Sequence, residues 1–566
     1  MNKLSQGAKI AIFAGIAVVV FLGVFLGITL TKDMGKTEEQ INSEKVEQQL
    51  NNLMDDITVE NRTPRKAAVS DTDILTEKEE LPSIDTYPLT VEGTGQINVE
   101  IFSSPEKAGT GTDGWLNKIA EDFNNEAYLV DGKTISVSVR SVSSGPALDY
   151  IKSGKYVPQA ITPSNEFWGS MITAGGVKAE LIEKKLCGNV AGILLSNAKY
   201  KTMIDKYGSV NMKTVSEATA SGDLMMGYTN PFVSSTGLNF LINTLYTYDS
   251  GNLLSEKAVE GFKNFQENVP LVSYNTLQMR KAAESGSLDA MVMEYQQYVN
   301  DAVLQSNYKF TAFGVRHDNP LYGLGALTKD EKEVLQKFAE YCKTTEAQKY
   351  ASECGFNQKE KYISELPDDI PGNTLLQAQK LYKENKNSGR PIVAVFVADV
   401  SGSMDGEPIN SLRTSLINSM QYISKDNYVG LISYNNKVYV NLPIAKFDLN
   451  QQAYFKGAVQ DLSVAGQTAT NDALAVAIDM VNKAMEEVPD AKPMIFLLSD
   501  GQQNVGHSLN EIEGLIRQYQ IPIHTIGYNE SIDSLEIISN INEAVIIKAN
   551  NEDIVYKLKS LFNSEM

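Results

Sequence analysis

Four runs in the last third of the chain, IVAVFVAD (392–399), YVGLISY (428–434), MIFLLSD (494–500) and IPIHTIGY (521–528), are apolar at nearly every position. A strand with one wet face alternates, whereas a run apolar on both faces must be covered on both. Amphipathic stretches separate the runs. In NDALAVAIDMVNKAMEEV (471–488), Leu474, Ile478, Val481, Met485 and Val488 share one helical face. The pattern predicts a doubly wound, Rossmann-like α/β sheet over 391–566. Ligands bind such sheets beyond the C-terminal strand ends, where Asp399 and Asp500 both fall.

Those strand ends are rich in oxygen ligands. Asp399 opens a D-x-S-x-S pattern with Ser401 and Ser403, and Thr468 sits in the Gly-rich turn AGQTATNDAL (465–474). A hard cation such as Mg²⁺ takes about six oxygens at ~2.1 Å and keeps some waters. Two carboxylates and three hydroxyls suit that demand, with Mn²⁺ or Ca²⁺ as alternatives. With only two formal negative charges around it, a bound cation stays free to accept a partner's carboxylate. The bland alternative is a Ser-rich turn whose aspartates cap helices. The coincidence of three separate loops argues against it.

FVADVSGSM (396–404), GQTATNDAL (466–474) and FLLSDG (496–501) resemble the three loops of the metal-ion-dependent adhesion site of von Willebrand factor type A domains. The resemblance covers about 391–562. It implies that Ser401, Ser403 and Thr468 supply hydroxyl oxygens, that Asp399 and Asp500 act mainly through water, and that an Asp or Glu from a partner protein completes the shell. No G-x-S-x-G, HExxH, Cys–His pair or P-loop accompanies these residues. Of the three histidines, His524 reads as a core residue, and His507 and His317 as solvated. The expectation is a binding protein, not an enzyme.

Upstream, QINVEIFSS (96–104) and KTISVSVRSVSSG (133–145) read as strands among helices, predicting a second α/β domain over 95–375 with a largely parallel sheet. Ser143-Ser144 in one turn, and Thr229 with Ser234-Ser235-Thr236 in another, each lead into a helix. Hydroxyls and free N–H groups at a helix start make an anion site, although ordinary capping explains either turn alone. With LDAMVMEYQQYV (288–299) and EYCKTTEAQKYASECGF (340–356), these stretches are similar to two-lobed, periplasmic-type extracellular solute-binding proteins of bacteria. That resemblance implies a small polar or anionic solute held between lobes by Ser143, Ser144, Thr229, Ser234, Ser235 and Thr236. Arg140 and Arg316 are candidates for added charge pairing.

IAIFAGIAVVVFLGVFLGITL (10–30) is an uncharged run long enough to cross ~30 Å of hydrocarbon. Lys3 and Lys9 precede it, which orients the N-terminus inside. The reading is an uncleaved anchor within 1–31 and an extracellular remainder, with a cleaved signal peptide as the alternative. Residues 32–94 read as a charged, solvated stalk, with a short helix through Val46, Leu50, Leu53 and Met54 or Ile57, and 376–390 as an interdomain link. With 50 basic against 70 acidic residues the net charge is −20, which argues against nucleic acid. Cys187, Cys342 and Cys354 read as free thiols. Together these features predict a membrane-anchored protein that captures or senses a solute and engages a protein partner through a metal. The alternative is the solute-binding component of a transport system, with the last domain as its docking module.

Overall fold

The computed structural model describes residues 38–69, 75–269, 271–273, 279, 288–367, 369–501, 503–528, 533–542, 544–550 and 552–566. The expected anchor lies outside them; no helix among the described residues is long and apolar enough to cross a membrane.

The C-terminal sheet runs in the order Val59–Asn61, Val438–Lys446, Tyr428–Tyr434, Ile392–Asp399, Lys492–Ser499, Ile523–Gly527, Ile546–Lys548. All pairings are parallel except Tyr428–Tyr434 with Val438–Lys446. The central strand explains the continuous apolar pattern. Ile392, Ala394, Phe396 and Ala398 point into one core, and Val393, Val395 and Val397 into the other. Each fully buried large side chain contributes about 1.5–3 kcal/mol, so both faces need helices. Thr470–Glu487 covers one with Leu474, Ile478 and Val481. Glu407–Ser419 and Ile554–Glu565 cover the other.

The stretch expected as a solvated stalk is packed instead. Helix Glu38–Asp56 buries Leu50 and Leu53 in the C-terminal core, joined by Ile57 just beyond its end. Gln49 donates to the Glu511 carbonyl (3.1 Å). Val59–Asn61 then extends the sheet beside Val438–Val440, and Arg65 pairs with Asp461 (2.9 Å). Further on, Leu89–Val91 joins a different sheet. The heptad-like stripe is real, but it seats on this domain's own helices.

Between these parts lie two α/β lobes. The first has strand order Leu89–Val91, Lys133–Ser141, Ile97–Ser103, Ala160–Thr162, Leu321–Leu324, Ala179–Glu183. The second runs Leu271–Ser273, Met226–Thr229, Ala290–Glu294, Val190–Ser196, Tyr308–Arg316. Both sheets are mixed, correcting the largely parallel expectation. Tyr308–Arg316 and Leu321–Leu324 run antiparallel to their neighbours as the chain returns from the second lobe to the first. The outward and return crossings touch, His317 N donating to the Asn189 carbonyl (3.0 Å). Residues expected as a polar link belong largely to helix Gly372–Asn385, which packs on helix Phe167–Ala174 of the first lobe and on the second lobe, where buried Tyr382 meets Tyr228 and Phe262 and donates to the Ser564 carbonyl (3.3 Å).

Candidate functional site

At the C-terminal edge of the last sheet, Asp399 is fully buried. Its Oδ1 accepts the Ser401 N–H (2.9 Å), and its Oδ2 accepts the hydroxyls of Ser499 (2.6 Å) and Tyr434 (3.3 Å). The Ser401 and Ser403 hydroxyls lie 3.1 Å apart, and Ser403 donates to Asp500 Oδ1 (2.9 Å). Three loops therefore converge. Gly402 N donates to the Gly466 carbonyl (3.0 Å), pinning the second loop to the first. Gly466 has φ +78°, and a Cβ there would meet Asn436 Oδ1 at 2.1 Å, so glycine is required. Asn504 clasps Thr468 from the third loop, accepting its N–H (2.9 Å) and donating backbone N–H to its carbonyl (3.0 Å).

Burial pushes both carboxyls up, Asp399 further through the nearby Asp500 charge; the Ser401, Ser499 and Ser403 bonds pull the other way. Asp500 Oδ2 is buried without a hydrogen-bond partner among the described residues. An orphaned carboxylate oxygen, a buried Asp399 whose charge Asp500 disfavours further, and hydroxyls within reach suit a divalent cation. Among the described residues no three His, Cys, Asp or Glu side chains cluster for a metal; this set depends on hydroxyls. Reasoning from sequence missed Ser499, Tyr434 and Asn504. Ser499 abuts Asp500 in FLLSDG, and Tyr434 is the register partner of Asp399. The Asn504 clasp has no sequence signal.

The lobes bring the other predicted residues together. Ser144 and Ser235 hydroxyls lie 3.0 Å apart across the cleft, and Gly145 N donates to the Val233 carbonyl (3.1 Å). Ser143 and Ser234 line the same cavity, of about 10 Å³, roughly room for one water. Thr229 instead donates to Ser234 Oγ (3.0 Å), and Thr236 turns to Glu294 (3.4 Å). Trp168 Nε1 donates to Ser235 (2.8 Å).

Beneath the cleft lies a buried network that was not anticipated. Glu294 accepts Asn189 Nδ2 (2.7 Å) and lies 2.8 Å from His317 Nδ1. His317 Nε2 faces the amides of Asn165 and Asn239, each 3.1 Å away. Burial alone would raise Glu294, but the His317 ring holds it below the usual carboxylate range. His317 is completely buried, not solvated. Nearby, Lys107 is buried and pushed down to about 8, although its ammonium reaches the Thr162 carbonyl (2.6 Å). His507 is half-buried against Asp472 (2.8 Å), whereas His524 is the expected core residue, pushed down by burial to about 3. Arg140 and Arg316 pair with Glu100 and Asp318, away from the Ser144–Ser235 contact. All three cysteines are free and buried.

The C-terminal region is a von Willebrand factor type A domain: residues 394–563 match that family's model. This part is similar to inter-alpha-trypsin inhibitor heavy chain H3 of Bos taurus, 31% identical over 159 residues, 26% of this chain and 18% of the relative. The chain thus spans about a fifth of the length of the curated relatives it matches first. Among solved structures, a von Willebrand factor type A protein of Catenulispora acidiphila is 19% identical, covering 31% of this chain and 42% of the other, at TM-score 0.28. A putative extracellular solute-binding protein of Bordetella parapertussis is 14% identical, covering 51% of this chain and 99% of the other, at TM-score 0.37.

Proposed function

We propose that this chain is a cell-surface binding protein with two engagement sites. The von Willebrand factor A domain holds a divalent cation, Mg²⁺ foremost, through Asp399, Ser401, Ser403, Thr468 and Asp500. When bound, the cation offers an open position to an Asp or Glu carboxylate of a partner protein. The two-lobed domain captures or senses a small polar or anionic solute through Ser143, Ser144, Ser234 and Ser235, with Thr229 and Thr236 in support. Residues 10–30 anchor the chain with its N-terminus inside and the remainder outside.

The observation that carries the reading is the buried Asp500 Oδ2, without a partner among the described residues, beside Ser403 and Ser401. A group that costs about 1–3 kcal/mol when left unsatisfied is retained where a ligand satisfies it. Calorimetric titration of the chain with Mg²⁺ or Mn²⁺ should show one site per chain; no heat and no competition between the two ions would refute the assignment. Carbonate washing of membranes should leave the full-length protein in the pellet, whereas a soluble, N-terminally trimmed species would show a cleaved signal.

A further inference from the structure

The C-terminal helix Ile554–Glu565 is bonded to both halves of the interlobe cleft. On one side Tyr556 donates to Asp149 Oδ2 (2.7 Å), and Asp149 belongs to helix Ser144–Ser153, which begins at the cleft. On the other, fully buried Asn230 donates its amide to the Ser560 carbonyl (3.4 Å). The Asn230 carbonyl in turn accepts the N–H groups of Val233 (3.1 Å) and Ser234 (2.9 Å) in the second cleft turn. The helix end is held as well. Lys386 donates to the Phe562 (3.0 Å) and Asn563 (2.8 Å) carbonyls.

The opposite face of the helix reaches the metal strands. The Phe562 ring packs at 5.7 Å from Phe396 and 5.4 Å from Phe496. On their strands these rings precede Asp399 and Asp500, which terminate in the candidate metal centre.

We infer that lobe closure and cation binding are coupled through this helix, so that the solute cleft regulates the metal centre. The inference rests on the metal reading proposed above. An element bonded to both lobes cannot follow both if they part. Opening that separates Ser144 from Ser235 must break Tyr556–Asp149 or Asn230–Ser560, or drag the helix with one lobe. A close-packed aromatic cluster does not deform continuously, so displacing Phe562 is felt by the strands that end in Asp399 and Asp500. Linkage makes the effect reciprocal: a cation that favours the seated helix favours closed lobes.

The test uses the full chain and Mg²⁺ alone. Ser144→Cys with Ser235→Cys replaces hydroxyls 3.0 Å apart, and the three native thiols are buried. Oxidation should lock the lobes shut and tighten Mg²⁺ binding by about fivefold or more over the reduced form. Adding Tyr556→Phe, which keeps the ring but removes one tether, should reduce that difference. Should the disulfide not form, Tyr556→Phe in the native chain carries the test and should weaken Mg²⁺ binding several-fold. Equal Mg²⁺ affinity in oxidised and reduced forms, or unchanged affinity in Tyr556→Phe, overturns the coupling while leaving the metal reading intact. Failure of every form to bind Mg²⁺ overturns the metal reading and the coupling with it.

Discussion

The two candidate sites use the same side chains in opposite ways. Both place serines and a threonine in turns that lead into helices. In the C-terminal domain the turn residues leave a deficit: Ser403 is exposed, and Asp500 Oδ2 has no partner among the described residues. Between the lobes the hydroxyls satisfy one another, Ser144 with Ser235 and Thr229 with Ser234, and the remaining space is about 10 Å³. A rigid sheet edge can hold an unsatisfied oxygen in place for a ligand. The cleft is filled by its own polar groups, so a ligand must first displace them. Preorganisation therefore belongs to the first site, and displacement of existing bonds to the second.

The sharpest way to break this contrast is Asp399→Asn. The amide keeps the shape of the carboxylate but not the charge, so divalent-ion binding should vanish in calorimetry while the circular dichroism spectrum is retained. Unchanged Mg²⁺ binding would show that the Asp399 charge does not hold the cation.

The buried charge near the cleft gives the next effect. Lys107 falls to about 8 in the folded chain from 10.5. The folded state then binds fewer protons than the unfolded one between those values, so stability rises with pH across roughly 8 to 10.5 and is lost as pH falls through 8. Lys107→Met should flatten that rise, a difference of a few kcal/mol, read as denaturant midpoints at pH 7 and 10. The same slope in both proteins would show that Lys107 is solvated.

A smaller effect separates capture from self-closure. A solute at about 100 times its Kd should stabilise the chain by about 2.7 kcal/mol, and Thr229→Ala with Ser235→Ala should reduce the shift without unfolding. A broad anion and metabolite panel that produces no shift would make the cleft a purely structural contact. Smallest is Gly145→Ala. Its Cβ would meet the Phe232 carbonyl oxygen at 1.8 Å, and overpacking of this kind costs about 1–3 kcal/mol. Here the strain should appear as lobe opening in X-ray scattering. A variant as compact as the native chain would show that the lobes approach less closely.

Much of the candidate metal centre was legible because the residues expected to form it lie in three short segments, each tied to a strand or turn that period and glycine reveal. Asp399, Ser401, Ser403, Thr468 and Asp500 sit on loops that Gly402–Gly466 and Asn504–Thr468 bonds bring together. The supports were not legible. Tyr434 reaches Asp399 through strand register, and pairing across a sheet leaves no local mark in the chain.

Local pattern determined the elements: continuous apolar strands demand cover on both faces, and a stripe such as Leu474, Ile478 and Val481 demands a helix against them. Only the tertiary structure decided what the polar segments do. Residues 38–61 look solvated because their apolar positions are few, yet Leu50, Leu53 and Ile57 fill a gap in a core built by residues hundreds of positions away. His317 looks like a solvated loop residue, yet its loop is covered and the ring is buried between Glu294 and two asparagines. Burial of such groups depends on which distant backbone arrives to cover them, and that is a property of the folded chain, not of any window within it.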